Sequence, residues 1–137
     1  MMLNGALGGL VAITAEPLTP SPIMAIVIGT IGGIIVYLGT KLLLRLKIDD
    51  VVGAIPVHGF AGIWGTLVVG IPGLNGSGDF MTQLIGVVVI GVFVTVVSAI
   101  VWLVLKAVTG LRPSEEEEMT GLDVSELGME AYPEFRN

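Results

Sequence analysis

The single histidine of the chain, His58, lies inside a long stretch that has no charged residue. Neither Asp, Glu, Lys nor Arg occurs between Asp50 and Asp79, and this stretch exceeds the roughly 20 apolar residues of a membrane-spanning helix. An ionisable side chain in such a helix generally marks a substrate or proton pathway. The alternative is structural: the imidazole hydrogen-bonds a neighbouring helix and makes packing more specific.

The neighbours of His58 are unusually small. On an α-helical projection, its face is shared by Ala54, Ala61, Gly62 and Gly65. We therefore expect a solvent-poor imidazole that faces a neighbouring helix or a narrow lumen, with these residues as pore-lining support. Pro56 has no N–H to donate to the carbonyl of Val52, so the helix should kink there, and that carbonyl needs another polar partner.

Other chemistry has little support in the sequence. One histidine without a second histidine, a cysteine or a carboxylate at ligand spacing does not make a metal site, and the chain has no cysteine. The acidic pair Asp49 and Asp50 precedes the histidine-bearing segment and is favoured there by the helix dipole. We expect no enzyme, no cofactor and no nucleic-acid partner, and we place the acidic pair at a cytoplasmic membrane boundary.

Composition indicates an integral membrane protein, since 53% of the residues are hydrophobic and the mean hydropathy is +0.93. We expect a transmembrane region over residues 1–110, followed by a cytoplasmic regulatory tail over 111–137. The membrane-embedded segments are expected near residues 3–15, 20–44, 51–72 and 82–107. Gly5 with Gly9, and Gly29 with Gly33, form GxxxG pairs that allow helix backbones to approach closely.

Charge position predicts the orientation in the membrane. All cations lie near or after the end of the second or the fourth apolar segment: Lys41, Arg45, Lys47, Lys106, Arg112 and Arg136. The positive-inside rule makes that side cytoplasmic and places residues 73–80 outside. Eight of the twelve acidic residues follow Pro113, so the tail is acidic while the apolar region is nearly uncharged.

The tail carries a helix start signal. Ser114 and Glu117 have capping-box spacing, which predicts a short helix over 114–119, and Gly121 then allows a sharp turn. The apolar residues that follow are too few to form a core alone, so we expect docking against the membrane region or a partner chain. The docking residues are expected to be Gly121, Leu122, Asp123 and Tyr132. A solvated acidic tail is the alternative.

Three stretches together resemble one family. "IDDVVGAIPVHGFAGIWGTLVVGI" resembles the histidine-bearing late helix of the ammonium transporter (Amt/Mep/Rh) family, and "LNGALGGLVAITA" resembles its helix-eight motif. "GLRPSEEEEMTGLDVSELGMEAYP" resembles the cytoplasmic tail of the same family. The resemblance implies an all-α membrane protein, part of an eleven-helix bundle that assembles as a homotrimer in the plasma membrane, with a short helical cytoplasmic tail.

The resemblance also implies a function. His58 matches the second of two adjacent pore histidines, past which ammonium is deprotonated and conducted as ammonia or its equivalent. Only the last four helices have counterparts in this chain, so conduction requires a complementing N-terminal half, and a PII-type signal protein is a possible partner at the cytoplasmic face. Leu127 stands where the family commonly has histidine. The alternative function is a non-conducting membrane subunit with an assembly or regulatory role.

Overall fold

The computed structural model describes residues 2–16, 21–73 and 78–135, and every regular element in these ranges is helical. The elements are α1 (Met2–Ile13), α2 (Pro22–Arg45), a π-helix that we call the π-segment (Ile55–Phe60), α3 (Ala61–Val69), α4 (Phe80–Val108), α5 (Glu115–Thr120), α6 (Leu122–Leu127) and a 3₁₀ turn (Pro133–Phe135). The expected start of the second segment at residue 20, and positions 74–77 of the expected external loop, lie outside the described ranges.

The two long helices begin at polar caps. The Ser21 hydroxyl accepts a hydrogen bond from the main-chain N–H of Met24 at 3.4 Å, with Pro22 in the first helical position. Before α4, the Asp79 carboxylate accepts from the N–H of Thr82 at 2.8 Å and from its hydroxyl at 2.9 Å. These hydrogen bonds lower the pKa of Asp79, the bond from the N–H of Thr82 contributing most.

Helices α1 and α2 meet through glycine. A Cβ added to Gly9 would lie 3.0 Å from the carbonyl oxygen of Gly29, and one added to Gly33 would lie 3.2 Å from that of Gly5. A side chain at these positions would therefore hold the two backbones further apart. The expected close approach through both GxxxG pairs is confirmed.

Helix α3 and the π-segment complete a small core with these two helices. One buried cluster joins Ala12, Ile28 and Val68, and it draws on α1, α2 and α3 in turn. A second cluster contains Val36 of α2, together with Val57 and Ala61. The indole of Trp64 donates to the carbonyl of Ile28 at 3.1 Å, so the interface also carries a directional bond.

The chain divides into two compact units, Met1–Val92 and Phe93–Asn137. The boundary between them lies within α4. Helix α4 has 29 residues, and none of them is buried within the described chain. Helices α2 and α4 are long and apolar enough to cross a membrane. α1 and the helix from Ile55 to Val69 are apolar but shorter.

The second unit contains the tail. The Ser114 hydroxyl accepts from the N–H of Glu117, and the Glu117 carboxylate accepts from the N–H of Ser114, which confirms the capping box. Helix α5 spans Glu115–Thr120, close to the predicted 114–119. Gly121 has φ 101° and allows α6 to begin directly after α5, as the predicted sharp turn requires.

Candidate functional site

His58 lies in the π-segment, where the sequence predicts a kinked α-helix. The N–H of Ala61 donates to the carbonyl of Pro56, five residues earlier, and to that of His58. Pro56 lies in the first turn of this helix, where its missing N–H removes no intrahelical hydrogen bond, so the proline does not explain the π-helical pattern. π-Helical turns are rare in proteins, and those that occur are often found at functional sites. The single histidine of the sequence lies in such a turn.

The residues of the predicted small-residue face differ in burial. Ala61 and Gly65 are buried and Gly62 is half-buried, whereas Ala54 and His58 are exposed. Bonds that reach five residues back shift the helical register before Phe60 relative to α3, where the projection assumed 3.6 residues per turn. The pore-lining role of these residues stays a prediction.

The imidazole of His58 is exposed within the described chain, and its expected solvent-poor setting stays a prediction. The π-segment turns Pro56 and Val57 toward α1 and α2, where both are buried, and His58 points elsewhere. Among the described residues, the side of the helix that carries His58 has no covering element, and Ile55 on the same helical segment is 42% exposed.

Asp50 fixes the start of this helix. Its carboxylate oxygens accept from the N–H groups of Ala54 and Ile55, each at 2.8 Å. Two donors that would lack partners at a helix N-terminus are thereby satisfied by one side chain. Asp49, the other member of the acidic pair, is exposed. Both acids line a small cavity of about 80 Å³, where the end of α2 meets the turn before the π-segment.

The carbonyl of Val52 lies just before the helix, since Gly53 has φ 76°, and it has a partner from α1. The side-chain amide of Asn4 donates to the carbonyl of Val52 at 2.9 Å. Asn4 belongs to α1, 48 residues earlier in the chain, and was not among the expected site residues. The sequence placed Val52 inside a helix that Pro56 interrupts, whereas the helix begins after Val52 with Pro56 in its first turn. The donor that reaches the carbonyl of Val52 depends on tertiary structure.

The four tail residues lie together around the start and end of α6. Leu122 is 42% exposed and Tyr132 is 70% exposed, while Gly121 forms the turn. Asp123 accepts from the N–H of Ala131 at 2.8 Å and from its neighbouring N–H of Val124 at 2.9 Å. The bond from Ala131 is the main cause that lowers the pKa of Asp123. Docking of these residues stays a prediction.

In the described ranges, no group of three or more His, Cys, Asp or Glu side chains is placed to hold a metal ion. The described features are an all-helical architecture, two helices of membrane-spanning length and helix contacts made through glycine. Together they place the chain in the class of α-helical membrane proteins.

Comparison with known sequences identifies the family within that class. The profile of the Ammonium Transporter Family matches residues 1–132, and the chain belongs to this family. It is similar to ammonium transporter Amt2 of Archaeoglobus fulgidus, with 42% identity over 98% of the chain. It is also similar to Amt1 of Haloferax mediterranei, with 41% identity over 98% of the chain, and to Amt2 of Methanocaldococcus jannaschii, with 42% identity over 96%.

The match covers a minor part of each relative. The chain spans 33% of the Archaeoglobus transporter, 27% of the Haloferax transporter and 33% of the Methanocaldococcus transporter. About two thirds or more of each relative therefore has no counterpart among the residues described above.

Proposed function

We propose that this chain forms the C-terminal part of an ammonium transporter and that His58 contributes to its conduction path. The observation that carries the proposal is the position of His58: it is the single imidazole of the chain, on a π-helical turn of an apolar helix, facing away from α1 and α2. A neutral imidazole can both donate and accept a hydrogen bond, and this suits a small solute that carries protons.

An exposed imidazole in an apolar helix needs a partner surface. In lipid, a polar side chain directed at the acyl chains is costly, and such groups almost always face a bundle interior or a water-filled cavity. Since relatives of the family are about three times as long as this chain, the covering surface is proposed to come from a complementing N-terminal half. A homotrimer of completed protomers is the proposed assembly.

The proposed topology places α2 and α4 across the plasma membrane. Helix α2 ends at Arg45, with Lys41 and Lys47 beside it, and α4 has Lys106 in its last turn. Lys41 lies over the ring of Tyr37, with the ammonium 4.4 Å from the ring centre, a pairing suited to a membrane interface. On the positive-inside rule these ends, and hence the C-terminus, are cytoplasmic.

The tail is proposed to dock beneath the membrane region. Its apolar side chains are exposed within the described chain, including Leu127 at 69% and Met129 at 69%. Burial of these side chains by the cytoplasmic face would supply the core that α5 and α6 lack. A PII-type signal protein is the proposed external partner of the same face.

The transport test requires a completed transporter. We would express the chain with the N-terminal portion of the Archaeoglobus relative that precedes the matched region, and measure uptake of labelled methylammonium. The complemented wild type should transport, and His58→Ala should lower uptake at least about tenfold at equal membrane abundance. Thr30→Ala is the matched control, because this exposed hydroxyl donates to the carbonyl of Ile26 in its own helix, at 2.7 Å.

The same experiment distinguishes a conducting subunit from the alternative, a non-conducting membrane subunit. A complemented assembly that forms but does not transport would favour a non-conducting membrane subunit. Equal losses of uptake and abundance in His58→Ala would assign the imidazole to packing instead of conduction.

A further inference from the structure

The turn before the π-segment is held by a residue from a distant helix. The carbonyl of Val52 lies just before the helix, because Gly53 has φ 76° and the first bond to an acceptor four residues earlier runs from the N–H of Val57 to the carbonyl of Gly53. The side-chain amide of Asn4 donates to the carbonyl of Val52 at 2.9 Å. This bond joins the turn to α1, because Asn4 belongs to that helix.

The backbone at Gly53 shows how closely Asn4 fits. Gly53 has φ 76°, and a Cβ added there would lie 2.5 Å from the side-chain nitrogen of Asn4. Glycine at this position therefore serves two needs, the positive φ and the room for the Asn4 amide. Because the amide occupies the place of a side chain at residue 53, movement of Asn4 and movement of this turn are coupled.

The same turn is held a second time by Asp50, whose carboxylate accepts from Ala54 and Ile55. Asp50 fixes the donors at the start of the helix, and Asn4 fixes an acceptor just before it. With both bonds in place, the turn has a fixed position relative to α1, and the π-segment starts from that turn. His58 is six positions after Val52, which is less than two helical turns along the chain.

We propose that Asn4 is a positioning residue for His58: by holding the carbonyl of Val52, it sets the direction in which the π-segment presents the imidazole. This inference rests on the proposed transport function, because a fixed imidazole matters only if a solute passes it. Asn4 itself does not contact the solute.

The first test uses the chain alone, in lipid nanodiscs, with ¹⁵N-labelled imidazole and a tag that contains no histidine. Since the chain has one histidine, the spectrum reports His58 without assignment work. Asn4→Asp keeps the shape of the side chain but replaces the N–H donor with a carboxylate. We expect its imidazole signals to shift and broaden or to divide, while Asn4→Gln, which keeps a donor, and Thr30→Ala both retain the wild-type pattern.

Circular dichroism distinguishes a local effect from unfolding. If Asn4→Asp lowers the helix content, Gly53→Ala provides the second variant, because it crowds the Asn4 amide without changing the charge. Imidazole signals that superimpose on those of the wild type in either folded variant would overturn the proposal. A shift of equal size in Thr30→Ala would also overturn it.

The second test measures methylammonium uptake by the complemented transporter. Asn4→Asp should lower the maximal rate by roughly tenfold at unchanged abundance, and Asn4→Gln should restore at least half of it. Full uptake by Asn4→Asp would contradict the positioning role, even if the imidazole signals move. If His58→Ala transports normally, the proposed function fails, whereas the nanodisc spectra still decide whether Asn4 positions His58.

Discussion

The indole nitrogen of Trp64 donates a hydrogen bond to the main-chain carbonyl of Ile28 at 3.1 Å, across the interface of α3 and α2. The indole belongs to the helix that continues the π-segment, and the acceptor belongs to the long helix that α1 also contacts through glycine. Ile28 is 1% exposed, so the bond lies at the edge of the buried cluster. This bond therefore gives a directional anchor to an interface that is otherwise apolar.

Trp64→Phe should destabilise the chain by about 0.5–1.5 kcal/mol, since side-chain hydrogen bonds in helical membrane proteins contribute amounts of this size. The loss would be measured as a lower midpoint for unfolding in a denaturing detergent titration. Trp102→Phe is the matched control, because Trp102 is 57% exposed on α4. An equal effect in both variants would show that general loss of indole surface, and not the bond to Ile28, is responsible.

Gly65→Ala should be clearly destabilising. A Cβ at this position would overlap the main-chain carbonyl oxygen of Ala12 and lie 2.9 Å from its carbonyl carbon, so α3 would have to move away from α1. We expect a cost of about 1–3 kcal/mol, measured in the same titration. In contrast, Gly86→Ala on α4 meets no atom within 4 Å and should be neutral or slightly stabilising, because alanine favours helix. Equal stability of the two variants would contradict this account of the interface.

Acid should loosen the tail at Asp123. Its pKa is lowered from the ordinary 3.8 in the folded tail, mainly by the hydrogen bond from Ala131. The stabilisation is therefore fully present above pH 3.8 and is lost as the pH falls through the lowered pKa. Hydrogen exchange at the amide of Ala131, corrected for intrinsic rates, should become faster in this acidic range.

Asp123→Asn removes the titrating group from the same contact. The amide of Ala131 should then exchange faster at neutral pH, and the acid-dependent step at this amide should disappear. Glu126→Gln is the control, since Glu126 is an exposed acid on the same helix. A persisting acid step in Asp123→Asn would assign the pH dependence to another group.

Ser114→Ala should fray α5. The substitution removes the hydroxyl that accepts from Glu117 and also donates to its carboxylate at 2.7 Å. Loss of an N-cap costs about 1 kcal/mol, which is large for a helix of six residues. Chemical shifts of residues 115–120 should move toward random-coil values, while those of Leu122–Leu127 should change less. Unchanged shifts over 115–120 would show that the capping box does not hold this helix.

The sequence predicted the helical class, and it predicted local features that depend on residues close together in the chain. The capping box at Ser114, the turn at Gly121 and the close glycine contacts each follow from residues a few positions apart. Family membership was also visible in the sequence, because three ordered motifs cover most of the chain, and the family comparison confirms it.

The surroundings of His58 were harder to predict. The helical projection placed Ala61 beside His58, but the π-segment shifts the register between them, and no periodicity rule anticipates a bond that reaches five residues back. The sequence placed Pro56 in the helix interior, whereas the helix begins just before it. The bond from Asn4 to the carbonyl of Val52 depends on how α1 lies against the turn. Side-chain exposure likewise depends on which elements are present around the helix.

The glycine contacts between α1 and α2 have a thermodynamic consequence. Where Gly9 meets Gly29, the two backbones are in contact, and little apolar side-chain surface is buried at this point. An interface of this kind depends on dispersion and on close geometry, and burial of apolar surface is what gives association its negative heat capacity change. The glycine contacts should therefore add little to the heat capacity change of association between α1 and α2. Because dispersion is enthalpic, these contacts should strengthen on cooling, when hydrophobic association in water weakens.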